Sequence, residues 1–339
     1  MTQTLDDLSL ILIYSAMGVY ALAFIAFTLD LARRSSTVKK AVVAEVPVAV
    51  GAGGVGASGA GASGAGAGAG DADSSLLSLE GRDSSGRRSL ALRLGVVFTV
   101  LAFVIQLVAV VLRGIAAARV PWANMYEFSI TGTVLIVAVF LVLLLREDLR
   151  FLGTFVTGLV LVLLGVSTIN YYVAISPLPP ALQSAWLVIH VLVAILGTAF
   201  FALGGALSIV QLLQTKGDAM GRLGSALRLR FLRTLPDADT LERLAYRVNI
   251  VGFVFWTFTL IAGAIWAERA WGRYWGWDTK EVWTFIIWTI YAGYIHARAT
   301  RGWRGSRSAW LAIVGFAAVL FNFGVVNVFF KGLHAYSGL

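Results

Sequence analysis

Leu94-Gly-Val-Val-Phe-Thr-Val-Leu-Ala-Phe-Val-Ile-Gln-Leu-Val-Ala-Val-Val-Leu112 is an apolar run broken by one Thr and one Gln and by no charge. At about 1.5 Å per residue a helix of this length reaches across roughly 28 Å. That nearly matches the ~30 Å hydrocarbon core of a bilayer. Lipid offers no partners to backbone N–H and C=O groups, so such a run must be helical. Seven further stretches read the same way: Leu8–Leu29, Phe128–Leu145, Leu152–Ile169, Ala185–Leu212, Val248–Trp266, Val282–Ala297 and Ala309–Phe330. The fold expected is an all-α, polytopic membrane helix bundle of about eight transmembrane helices.

Composition agrees. Of 339 residues 58% are hydrophobic and 13% charged, against about 25% charged in soluble domains. A soluble enzyme with one small anchor is excluded. The absence of cysteine excludes a disulfide scaffold, a thiolate metal or redox site, and a carrier with covalently attached haem. The first segment is not a typical signal peptide, because Asp6 and Asp7 stand where a positively charged region would precede it.

Lys and Arg placement gives the orientation. Twenty-one of the 27 basic residues lie after the first, third, fifth and seventh segments. Six lie on the other side: Arg113, Arg119, Arg269, Arg273, Lys280 and Lys331. Cytoplasmic loops carry the basic excess, so both termini are expected outside. The net charge of +9 is then a topology signal rather than a sign of nucleic-acid binding.

Three units follow: a membrane helix in 1–32, a cytoplasmic linker in 33–93 and a membrane domain in 94–339. From Gly51 to Gly70 the linker contains only Gly, Ala, Ser and one Val. That composition buries too little to offset its ordering entropy, which predicts a flexible tether. The internal loop from Gln214 to Arg247 reads as a basic amphipathic helix, broken at Pro236 and resting on the anionic inner leaflet.

Six of the eleven tryptophans fall between Trp266 and Trp288, and the densest stretch is Trp271-Gly272-Arg273-Tyr274-Trp275-Gly276-Trp277-Asp278. An interfacial aromatic belt would spread its rings over all the helix ends. Crowding them in one loop, with glycines between, also suits a shelf for a large planar ligand. Asp278 with Glu281 three residues on forms a capping-box start for the seventh helix. Arg273 and Lys280 either meet lipid head groups or pair with ligand carboxylates. Of the three histidines, His190 and His334 lie on the side of the Trp loop, and His296 lies toward the cytoplasmic end of helix seven. Each is either a satisfied polar group at a helix contact or an iron ligand.

The Trp271–Asp278 run, with Lys280-Glu281-Val282-Trp283 and Tyr294-Ile295-His296-Ala297-Arg298 after it, resembles the "WWD" signature of haem-handling membrane proteins. The similarity is to cytochrome c biogenesis proteins of the CcsA/ResC type (System II). Pro121–Glu127, Trp186–His190 and Gly332–Tyr336 agree with it, and the resemblance extends from Leu94 to Leu339. It implies that haem b, as cargo, sits on the outer face of a bacterial cytoplasmic membrane. The cofactor-binding set it implies is Trp271, Arg273, Tyr274, Trp275, Trp277 and Asp278, with His190 and His334 on the iron. It implies a cytoplasmic-side entry site at His296, completed by a partner of the ResB/CcsB type. The client would be an apocytochrome c with a Cys-x-x-Cys-His motif, whose thiols attack the haem vinyl groups, and the chain would be a subunit of a holocytochrome c synthase. Two other functions use similar parts: a b-type cytochrome or quinol oxidoreductase subunit, and a haem exporter with no ligation role.

Overall fold

Thr99 and Gln106, the two polar residues inside the Leu94–Leu112 run, show how the bundle tolerates polarity. Thr99 is fully buried and its hydroxyl donates back to the Gly95 carbonyl at 2.7 Å. Gln106 is also fully buried; it accepts from Tyr20 at 2.9 Å and donates to the Ile130 carbonyl and the Thr133 hydroxyl at 2.9 and 2.7 Å. One side chain thereby ties three helices together in a medium where an unpaired amide would cost several kcal/mol, on the order of 4–8 by alkane transfer.

The structure is a computed structural model describing residues 2–44, 71–221, 232, 235–300, 303–330 and 332–334. Eight principal helices follow one another: α1 (Thr2–Ala44), α2 (Asp71–Ala117), α3 (Met125–Leu144), α4 (Gly153–Asn170), α5 (Ala185–Gly221), α6 (Ala238–Trp271), α7 (Thr279–Ala299) and α8 (Ser306–Phe321). A π-helical turn, Asn322–Val326, and a last turn, Asn327–Phe329, continue α8. There is no strand among the described residues.

Seven stretches, within every principal helix but α7, are long and apolar enough to cross a membrane. The chain is an integral membrane protein with the polytopic all-α fold read from the sequence. α7 falls below that threshold because it carries Lys280, Glu281, His296 and Arg298 among Thr, Trp and Tyr residues. Its 21 residues still extend about 31 Å, and its contacts follow α6 from end to end. Arg298, near the end of α7, pairs with Glu242 near the start of α6 at 2.6 Å. Further along, the Trp288 indole donates to Thr257 and the Trp256 indole to the Thr284 carbonyl, both at 3.0 Å. α7 therefore runs antiparallel to α6 through the bundle.

α1 and α2 pack on each other and on α3 and α4. Fully buried Arg113, near the end of α2, binds Asp6 of α1, Glu127 of α3 at 3.2 Å and the Val173 carbonyl at 2.6 Å. Arg119 adds a 2.6 Å pair to Glu127, and the Tyr172 hydroxyl donates to Asp6 at 3.0 Å. Two cations and two carboxylates balance, which makes a charged cluster tolerable in so buried a place. Its position puts the α1 start at the same end of the bundle as the α4–α5 connection, and hence as His190 and His334. Both ends of the chain's described part lie together, as an even number of crossings requires.

The flanks of the expected linker are helical, since α1 extends to Ala44 and α2 begins at Asp71. The Gly51–Gly70 run lies outside the described residues. So does the middle of the Gln214–Arg247 loop. On its near side α5 continues to Gly221; on its far side α6 begins just after Pro236, capped by Asp237, whose carboxylate accepts from the Thr240 amide at 2.7 Å.

Candidate functional site

At the end of the bundle that holds the Trp loop, α3, α5, α6, α7 and α8 leave a cleft. Its enclosed volume is about 190 Å³, and it opens to a wider mouth. His190, His334, Trp266, Tyr274, Trp275 and Lys280 are among its lining residues.

The two histidines are oriented alike by unrelated means. His190 Nδ1 lies 3.0 Å from the Thr259 carbonyl. A carbonyl can only accept, so Nδ1 carries the proton and Nε2 keeps its lone pair. His334 Nδ1 donates to the Asp278 carboxylate at 2.7 Å, and the His334 amide donates to the same oxygen at 3.2 Å. The hydrogen bond from His334 holds the Asp278 carboxyl below the usual carboxylate range. Among the described residues neither Nε2 has a hydrogen-bond partner. An imidazole held by Nδ1–H, with Nε2 free, is the arrangement of metal-ligating histidines. The cleft's chemistry therefore fits a ligand that carries a metal, which the Nε2 atoms of His190 and His334 would hold.

Glycines make both placements possible. A side chain at Gly263 would bring its Cβ to 2.8 Å from His190 Cε1. One at Gly332 would run into the Asp278 carboxylate, so the Gly332–His334 segment comes this close only without one. Thr259, Gly263 and Trp266 lie on one face of α6 at helical spacing, which supplies the acceptor, the room and the ring beside His190.

Trp266 is the aromatic centre of the site and is 1% exposed. Its ring stacks on His190 at 5.7 Å and 14°, and meets His334 and Trp271 edge-on at 5.5 and 4.8 Å. Trp271 also meets His334 at 4.8 Å. Trp275 and Tyr274 line the cleft from the loop. α6 ends at Gly272 in the left-handed conformation, φ 70°, which turns the loop back over the site. Asp278 is the N-cap of α7, and Glu281 closes the capping box by accepting from the Asp278 amide at 3.1 Å and the Gly276 amide at 2.8 Å. Capping and site chemistry thus coexist: Glu281 holds the loop while the Asp278 carboxylate orients His334.

Three expected residues stand apart. Trp277 is 76% exposed, with φ 59°, and touches Trp275 edge-on at 5.9 Å rather than lining the cleft. Arg273 folds its guanidinium over Gly276, also outside the lining. His296 is exposed near the opposite end of α7, so the structure gathers two histidines and separates the third. Sequence reasoning passed over Trp266 as a site residue, and Thr259 and Gly263 altogether. The shared α6 face was the signal available for them.

Comparison with known proteins addresses this same region. The family described as "Cytochrome C assembly protein" matches residues 122–334, bounded by Trp122 and His334, both of which line the cleft. A "Cytochrome c biogenesis protein CcsA" of Guillardia theta is 35% identical over 256 residues, covering 71% of this chain and 84% of the relative. Another, of Parasynechococcus marenigrum, is 40% identical over 178 residues, covering 48% of this chain and 58% of that one. In fold, the chain is similar to a solved structure named "Cytochrome c Heme Lyase CcmF", with a TM-score of 0.52 and 18% identity. That alignment takes in 94% of this chain and half the length of the other. The match through the cleft and the coverage of the relatives together show that the chain belongs to the cytochrome c assembly protein family, among its CcsA-type cytochrome c biogenesis proteins.

Proposed function

We propose that this protein holds haem b in the outer cleft and presents it to an apocytochrome c for covalent attachment, as part of a System II haem lyase. The observation that carries the reading is the pair of imidazoles, His190 and His334, each fixed through Nδ1 and lining one aromatic cleft. In this reading His190 and His334 ligate the iron, Trp266 and Trp275 bound the ring, and Trp271 backs Trp266 and His334. The cleft keeps water from the iron while the loop edge stays open to the client's Cys-x-x-Cys-His. The protein contributes placement, and the client contributes the thiols.

The Trp loop faces outward from a bacterial cytoplasmic membrane, because the basic residues favour the opposite end. His296, alone near that opposite end, receives haem from the cytoplasmic side with a second ligand from a ResB/CcsB-type partner. Support comes from its exposure and from its separation from the other two histidines.

The test is purification of the full chain with and without a ResB-like partner, reading haem by absorption. His190→Ala and His334→Ala are expected to lose outer haem and to regain part of it with added imidazole. His296→Ala is expected to lower haem entry while leaving the outer site able to bind. Normal cytochrome c maturation by all three variants at matched membrane levels would sink the reading.

A further inference from the structure

We propose that Lys280 is the anchor for a carboxylate of the cleft's flat ligand, so that the cleft selects a haem with a free propionate. The inference rests on the reading of the cleft as a haem site and adds to it the group that fixes the ring's rotation.

Lys280 lines the cleft and its ammonium has two partners. It donates to the Asn322 carbonyl at 3.1 Å and to Asn327 Oδ1 at 2.6 Å. Both acceptors are neutral. An ammonium has three donors, so one remains for an occupant. Of the adjacent carboxylates, Asp278 is held by His334 and Glu281 is held through Oε2 by the amides of Gly276 and Asp278, while Glu281 Oε1 is buried without a hydrogen-bond partner. The cleft that Lys280 lines is mostly apolar, with Leu260, Ala264, Val319 and Phe323 among its walls. The ammonium's hydrogen bonds go only to neutral acceptors, and Asp278, itself bound to His334, compensates it through space; an anionic group on the ligand would add a direct partner.

The end of α8 is shaped around this cation. The π-helical turn Asn322–Val326 begins at the residue whose carbonyl accepts from Lys280, and Asn327 follows directly after it. Single π turns recur at functional sites because they re-aim backbone groups. Arg273 is not the anchor, since its guanidinium lies against Gly276 outside the cleft lining.

The test compares haem with its dimethyl ester, which keeps ring and iron and removes the propionate charges. The full chain is placed in nanodiscs and titrated with each. A charge-assisted hydrogen bond is worth about tenfold to a hundredfold in affinity, so the wild type is expected to prefer haem over the ester by that ratio. Lys280→Met is expected to bring the ratio to about one while leaving the ester's affinity and the imidazole-ligated spectrum unchanged. That unchanged ester binding also shows that the variant folds. Lys280→Arg should restore part of the preference. A wild-type preference retained by Lys280→Met overturns the anchor, as does a wild type with bis-imidazole haem and no preference. A preference seen in phosphatidylcholine but lost in phosphatidylglycerol assigns Lys280 to a lipid head group, and also overturns it. A wild type that binds neither haem nor ester instead removes the haem reading itself.

Discussion

His190 and His334 depend on atoms that belong to other residues. For His190 these are the Thr259 carbonyl and the empty space at Gly263; for His334 they are the Asp278 carboxylate and the space at Gly332. Loss of the outer partner of a ligating imidazole typically weakens metal binding 10–100-fold. Asp278→Asn keeps a competent N-cap for α7 but removes the anionic partner. It is expected to weaken outer haem binding by about tenfold or more with an unchanged melting temperature in detergent. A large drop in melting temperature would show instead that Asp278 matters for the helix. Gly263→Ala forces a Cβ to within 2.8 Å of His190, so the ring must leave the Thr259 carbonyl. Haem retention should fall while membrane levels stay normal. Titration with haem against wild type measures it, and wild-type affinity would show that His190 accommodates the methyl group in place.

Each element joins the bundle through a few buried polar contacts set in an apolar interface. Arg113 is the clearest, because it reaches α1, α3 and the α4–α5 connection at once. Arg113→Met leaves Asp6 and Glu127 buried with less compensation. Breaking a buried pair on one side costs about 3–5 kcal/mol, so a lower melting temperature and reduced membrane accumulation are expected. Equal thermal stability of the variant and wild type would mean that water reaches this cluster. Tyr20→Phe is the milder comparison. It removes one hydrogen bond to Gln106 and should cost about 1–3 kcal/mol, since the Gln106 acceptor is left without its donor. α7 joins through Ile287, Tyr291 and Tyr294 in an apolar cluster, and its indole and threonine contacts to α6 add polar ties to that packing.

At the scale of the molecule, the even number of passes through the bundle puts both ends of the described chain with the Trp loop. With the basic split, tags at either terminus and in the Trp271–Asp278 loop are expected to be labelled from outside intact cells. A tag within residues 51–70 should not be, and its labelling would reverse the orientation. Deleting much of Gly51–Gly70 should leave cytochrome c maturation intact, because a chain of that composition only tethers. Lost maturation with a normally inserted product would show that the segment does more.

The Leu94–Leu112 run and its counterparts in every principal helix but α7 specified the membrane bundle by themselves, because apolar length and hydrogen-bond need leave lipid-embedded backbone almost no choice. The Trp loop and its flanking histidines were equally legible, since their residue types are rare and crowded into one stretch. The extra turns of α1 toward Ala44 were not, because polar turns beyond the lipid leave no hydropathy signal, whereas the turns of α6 after Pro236 fall in the stretch read as amphipathic helix. Nor did the sequence reveal that Thr259 lends its carbonyl to His190, or that Asp278 caps a helix and orients His334 together. Trp266 beside both imidazoles, Lys280 against the widened turn of α8, and Trp277 and Arg273 outside the cleft were likewise decided by the tertiary structure. These are contacts between helices far apart in the chain, and their partners are set by how the helices pack.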